Sequence, residues 1–307
     1  MAPHRIIRGT SLALVLCVLP ACSLRRMAGK TIADSLAHGS STYAQDDDPE
    51  LVREALPFGL KTLEGLSADL PRHRPLLRSL ASGFTSYAVA YVVPESERLE
   101  SVDVLASRAE RDRARRLLLR ARDYGLRALE VQHPSFGTAV RANAAVAVAH
   151  TTIDDLPDLY WTAAAWGSAI SVGKGDMELV ADVPIVEHLI RRAEALDDTW
   201  DEGSIHEFLI TFESRGAAMG GSLTRARQHY ERAMALNHGH RVGPLVALAE
   251  QVALQEQDRE EFDTLLARVL AFDVSQAPGS RLANILAQRR ARRLRQAADD
   301  LFLKEQP

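Results

Sequence analysis

A chain of 307 residues, 46% of them apolar and with a formal charge of −4, can bury a core without disulfides and lacks the basic excess that would point to nucleic acid. Alanine, leucine and arginine are abundant while β-branched and aromatic residues are sparse, a balance that favours helix over strand. The two cysteines, Cys17 and Cys22, both fall near the start.

In chain order, the first feature is an export signal. Arg5 and Arg8 form a short basic region and residues 11–19 a short apolar one. That apolar stretch is about half of the ~20 residues needed to span a bilayer, so it reads as a signal and not as an anchor helix. Leu19-Pro20-Ala21-Cys22 has the form of a lipobox, so residues 1–21 are expected to be removed and Cys22 lipidated. The mature chain then has no free thiol and carries 35 basic residues (37 less Arg5 and Arg8) against 41 acidic, a net charge of −6. Ser23 follows the cysteine where an aspartate would be expected for inner-membrane retention, which favours the outer membrane facing the periplasm. Acyl chains hold such a protein firmly without a spanning segment. Residues 22–45, polar and rich in Ser, Ala and Gly, read as a tether, and residues 46–307 as the folded domain.

Asp46-Asp47-Asp48-Pro49-Glu50 places an aspartate at an N-cap, a proline at the first helical position and acid in the first turn. A calcium site would need a glycine turn and spaced ligands, and neither is present. From there the pattern predicts helices near 49–69 (kinked at Pro57), 75–92, 104–131, 135–150, 155–172, 176–196, 202–217, 222–237, 242–255, 258–271 and 279–303, and no strand.

The helices come in pairs, which raises the question of a repeat. Tetratricopeptide repeats space a small, a large and a small residue at intervals of four and three on the second helix. Ala226, Tyr230 and Ala233 fit that spacing, as do Ala121, Gly125 and Ala128. Val186, Ile190 and Ala193 fit loosely, like Phe262, Leu266 and Val269. Four matches in order predict an all-α chain of degenerate tetratricopeptide-like repeats, an α-solenoid.

From Leu159 to Gly173 there is no charge, and this stretch holds Tyr160, Trp161 and Trp166. As a helix it reaches about 22 Å, short of a bilayer core of about 30 Å. Apolar residues surround the axis, so the helix is expected to be buried on most sides. Whether its aromatics fill a core or line an apolar cavity stays open. His206-Glu207 lacks the second histidine that H-E-x-x-H requires, because Ile210 stands there. The ten histidines show no ligand spacing, and no nucleophile constellation is evident. The run from Arg289 to Arg295 reads first as a solvated helix face, with contact to anionic lipid, a neighbouring subunit or an acidic partner as the alternative.

The segments DDDPELVREALPFGLKTLEGL (46–66), LPDLYWTAAAWGSAIS (156–171), DEGSIHEFLITFE (201–213), RARQHYERAMAL (225–236) and RLANILAQRRARRL (281–294) together resemble the TatT component family, lipoproteins associated with tripartite ATP-independent periplasmic (TRAP) transporters. The resemblance implies an all-helical, non-enzymatic protein without cofactor or metal, assembled as a ring-like trimer with a pore. It further implies pairing with a periplasmic solute-binding protein of the TRAP type, and an apolar small ligand. By the same resemblance Tyr160, Trp161, Trp166, His206, Glu207 and Phe208 are the candidate ligand-facing residues. The family pattern has a more apolar end to the last helix where Arg293-Leu294-Arg295 stands here. The expected function is a periplasm-facing lipoprotein that serves a TRAP transporter. The alternative is an envelope adaptor that binds protein partners through its repeats without a ligand.

Overall fold

The computed structural model describes residues 40–303. The expected signal peptide, the lipidated Cys22 and the tether up to residue 39 lie outside the described residues. Among the described residues every regular element is helical.

A single turn, α1 (Ser40–Ala44), precedes α2 (Pro49–Asp69). The acidic start of α2 acts as its sequence predicts. Asp48 accepts hydrogen bonds from the backbone N–H groups of Glu50 and Leu51, and Pro49 takes the first position, where no N–H is needed. The helix then runs through Pro57 as one element.

The next helix, α3 (Arg74–Glu100), outruns its predicted end at residue 92. A π-helical turn at Ala88–Val92 carries it across Pro94. The ring of Pro94 would clash with regular i−4 geometry, and the wider turn accommodates it. This helix is long and apolar enough to cross a membrane, but 56% of its most apolar window is buried inside the fold. Leu76, Leu77, Leu80 and Phe84 are core residues there.

The long α4 (Val104–Glu130) follows. The helix predicted for 135–150 is instead two, α5 (Phe136–Ala142) and α6 (Ala144–Ala149). Asn143 breaks it by adopting an extended backbone and accepting the N–H of Val146 as an N-cap. The uncharged stretch forms α7 (Leu156–Val172), followed by α8 (Met177–Val180) and α9 (Val183–Leu196). Next come α10 (Trp200–Glu213), α11 (Leu223–Leu236) and α12 (Gly243–Leu248), the last extended by a second π turn at Ala249–Ala253. The chain closes with α13 (Arg259–Ala271) and α14 (Arg281–Leu301).

Packing follows chain order for most of the length: α3 on α4, α4 on α7, α7 on α9, then α10 on α11 and α12 on α13. Gly125 on α4 makes the central contact possible. A Cβ there would stand 2.3 Å from Thr162 Oγ1 and 3.2 Å from the Thr162 Cα on α7. The four small-large-small sets that suggested repeats turn inward, and all their residues are buried except the half-buried Tyr230. At the far end α14 returns to α1 and α2. Its Leu282 and Leu286 pack on the core of α2, α3 and α4, while its Ala291, Leu294 and Ala298 belong to the core of α11 to α13. This return brings α3 and α14 together, and a cleft opens between them.

Candidate ligand cleft

The cleft has a volume of about 560 Å³ and is walled by α3, α10, α12 and α14. That size lies within the range of small-molecule sites, ~300–1,000 Å³. Both π turns of the described residues border it, through Val89, Ala90 and Tyr91 on α3 and Glu250 and Gln251 at the end of α12. Such turns concentrate at functional sites because they re-aim side chains that a regular helix would hold elsewhere. Val93, Val246, Ala247, Leu286 and Ala287 give the cleft an aliphatic wall. A second cavity of about 270 Å³ lies between α3 and α4, and Tyr91 borders both.

The charged wall comes from α14. Arg290 binds Glu97 of α3 and Glu250 of α12 together, joining three helices through one guanidinium. Burial works against its charge, but the two carboxylates overcome that and raise its pKa. Arg289 forms a bidentate pair with Glu50 of α2, one contact being 2.8 Å. Arg293 faces the same cleft, yet its buried Nε has no hydrogen-bond partner. The Tyr91 hydroxyl is likewise buried and unpartnered, and burial pushes its pKa up to about 12.

Glu207 forms part of the wall from α10. Its carboxylate lies against the start of α12 so closely that a Cβ on Gly243 would be 2.1 Å from Oε1. Burial raises the Glu207 pKa, and Arg241 opposes the shift. An unusual turn aims this side chain. Asp201, Glu202 and Gly203 all adopt left-handed backbone angles, with φ of 48°, 54° and 90°. For the two non-glycine residues this costs about 1–2 kcal/mol each. Arg241 clamps the turn by donating to the Asp201 carbonyl at 2.9 Å and to Ser204 Oγ at 2.6 Å. This turn displaces the regular part of α10 from its predicted start, and left-handed Gly216 lies beyond its end at Glu213.

Of the six residues singled out by resemblance, only Glu207 lines the cleft. Tyr160 lies behind it. The Tyr160 ring packs edge-on to Trp161 at 5.1 Å and against Trp200 at 4.8 Å. Burial raises the pKa of its phenol, and Glu207 and Asp201 add to the effect. Trp161 is half-buried beside it. Trp166 is 0% exposed. Its Nε1 donates to Asp182 at 3.1 Å, and the guanidiniums of Arg122 and Arg141 stack on its ring at 5.0 and 4.7 Å. Trp166 therefore fills core. Phe208 stacks on Phe212 at 5.7 Å and fills the space left by Gly167 on α7.

His206 turns away from the cleft toward α9 and α11. Its Nδ1 lies 2.9 Å from Nδ1 of His229, and Glu194 Oε1 is 3.9 Å from each. Among the described residues, this trio brings histidine and carboxylate ligand atoms to within 4.8 Å of one another, as a metal ion would require. Sequence spacing had shown no such grouping, because the residues sit on three different helices. The hydrogen bonding also fixes tautomers. Arg191 can only donate, so His229 Nε2 accepts at 3.3 Å, His229 Nδ1–H donates to His206 Nδ1, and His206 Nε2–H faces Asp198 at 3.5 Å. Burial lowers both pKa values, that of His229 to about 4.

The cleft residues that sequence reasoning missed are Arg241, Tyr91, Glu97, Glu250 and Arg293. The arginine run did carry a signal. Arg289, Arg290 and Arg293 share one face of a 3.6-residue helix, and Arg292 and Arg295 share another. Only the second face is exposed.

Comparison with known proteins gives two findings. The family model described as TRAP transporter T-component matches residues 45–302. An uncharacterised protein of Treponema pallidum (strain Nichols) is 28% identical over 320 residues, covering 98% of this chain and 99% of that relative.

Proposed function

The chain belongs to the TRAP transporter T-component family, and from that membership and the cleft we propose that it pairs with a TRAP-type periplasmic solute-binding protein and takes an apolar or amphipathic small molecule into the cleft. Membership associates the chain with a TRAP transporter and with the cell envelope. The further reading is of a non-enzymatic lipoprotein, anchored through Cys22 to the outer membrane and facing the periplasm, whose helices are degenerate tetratricopeptide-like pairs assembled as a trimer. The inward-facing small-large-small sets on α4, α9, α11 and α13 support the repeat character. One observation carries the ligand role: both π turns border a single cleft with an aliphatic wall and several charged groups at its edge.

The test is a crosslinked pull-down of the tagged, lipidated protein from native membranes, read by mass spectrometry. A periplasmic solute-binding protein in stoichiometric amount is the expected result. Recovery of envelope structural proteins alone would replace this reading with that of an adaptor without ligand.

A further inference from the structure

The arginines facing the cleft differ in how their charge is met. Arg289 has Glu50, and Arg290 has both Glu97 and Glu250. Arg293, one helical turn after Arg289, has a buried Nε with no acceptor. The two carboxylates nearest in charge, Glu97 and Glu250, are committed to Arg290. Burial disfavours the charge on Arg293, and Arg290 alongside adds to that penalty. A guanidinium nonetheless stays protonated in a protein, so the charge persists and the buried N–H remains unmet. Leaving a charged donor without a partner is costly, and α14 would accept an apolar residue there at no such cost.

We propose that Arg293 is the anion-binding end of the cleft, and that the ligand class is an amphiphile with one carboxylate at the end of an apolar chain. This deepens the cleft reading above and rests on it. The Nε–H and an Nη–H of one guanidinium form a fork that matches the two oxygens of a single carboxylate. The aliphatic wall from Val93, Val246, Leu286 and Ala287 suits the chain behind it. A dianion such as a phosphate monoester fits less well, because its second charge would meet Glu97 and Glu250 with their own cation already engaged. The unpartnered Tyr91 hydroxyl is a neutral donor on the same wall.

The experiment is calorimetric titration of the full lipidated chain in maltoside detergent with hexanoate and with hexan-1-ol, its uncharged counterpart. Hexanoate should bind at least tenfold more tightly. Arg293→Gln should erase that preference and leave hexan-1-ol affinity unchanged, which also shows that the variant is folded. Arg293→Lys should keep part of the preference. Equal affinity of the wild type for both compounds would overturn the carboxylate assignment while leaving the cleft as a ligand site, and so would a preference that survives Arg293→Gln. Binding of neither compound would overturn both readings. The wild-type comparison decides even where a variant fails to fold.

Discussion

Helices α7 and α14 make the instructive comparison. One carries no charge from Leu159 to Val172 and holds two of the three tryptophans. The other carries five arginines between residues 289 and 295. On composition alone the first invites a ligand and the second invites water. In the fold α7 is enclosed by α3, α4 and α9, and Trp166 is fully buried. Meanwhile α14 divides its arginines: one face forms the cleft wall, and Arg292 and Arg295 stay exposed. Absence of charge around a whole helix marks burial on several sides. A dense charge run must instead be resolved by helical face before it can be called solvated.

The one acid at the start of α7 strengthens the contrast. Asp158 is buried and binds Arg74 at 2.5 Å and Arg78 at 2.6 Å, so it pins α7 to α3. The carboxylates on α3, α2 and α12 that meet α14 do similar work at a more solvated place.

The largest effect that would break this comparison is at Trp166. Trp166→Ala removes a fully buried indole and its bond to Asp182, and should destabilise by about 3–5 kcal/mol in urea unfolding. A loss below about 0.5 kcal/mol, within the range of surface substitutions, would remove α7 from the core. The His206–His229 pair comes next. Both residues bind protons less readily folded than unfolded, so the unfolded state takes up protons first as pH falls. Stability is therefore full above pH about 6.5 and is lost as pH falls toward about 4. His229→Gln should flatten that part of the thermal stability profile, and an unaltered profile would contradict the neutral pair.

A smaller change sharpens the α4–α7 contact. Gly125→Ala should cost about 1–3 kcal/mol by overpacking against Thr162, and Thr162→Ser beside it should recover none of that, because Oγ1 and Cα remain in place. The smallest effect should come from α14. Arg289→Ala breaks a pair with the exposed Glu50 at the rim of the cleft and should cost about 0.2–1 kcal/mol, measured against Glu50→Ala in a double-mutant cycle.

Much of the fold was legible in the sequence. The Asp48-Pro49 start, the breaks at prolines and glycines and the inward small residues are local signals, and local rules decide them. Several features were not legible, among them the split of the helix predicted for 176–196 into α8 and α9. The π turn before Pro94 depends on α3 having packing partners beyond the proline. The left-handed turn at Asp201–Gly203 is held by Arg241, some forty residues away. The split of 135–150 turns on a cap by Asn143, a residue equally at home within a helical pattern. At the cleft, Glu207 was named from resemblance, whereas Arg293 stood out only as one member of a charged run and as a departure from the family pattern. Its partnerless position depends on α14 returning to α3, a contact between the two ends of the chain that no periodicity announces.

The most direct test of the central claim is to extract and identify small molecules carried by the protein purified from native membranes, comparing wild type with Ala247→Trp. Ala247 is a partly exposed cleft residue, so the indole would grow into open space and fill the cleft while the helices stay packed. The account predicts an amphipathic compound on the wild type, absent from a variant with unchanged circular dichroism. The same compound retained on the folded variant would contradict it, and the cleft would then be an unused gap between α3 and α14.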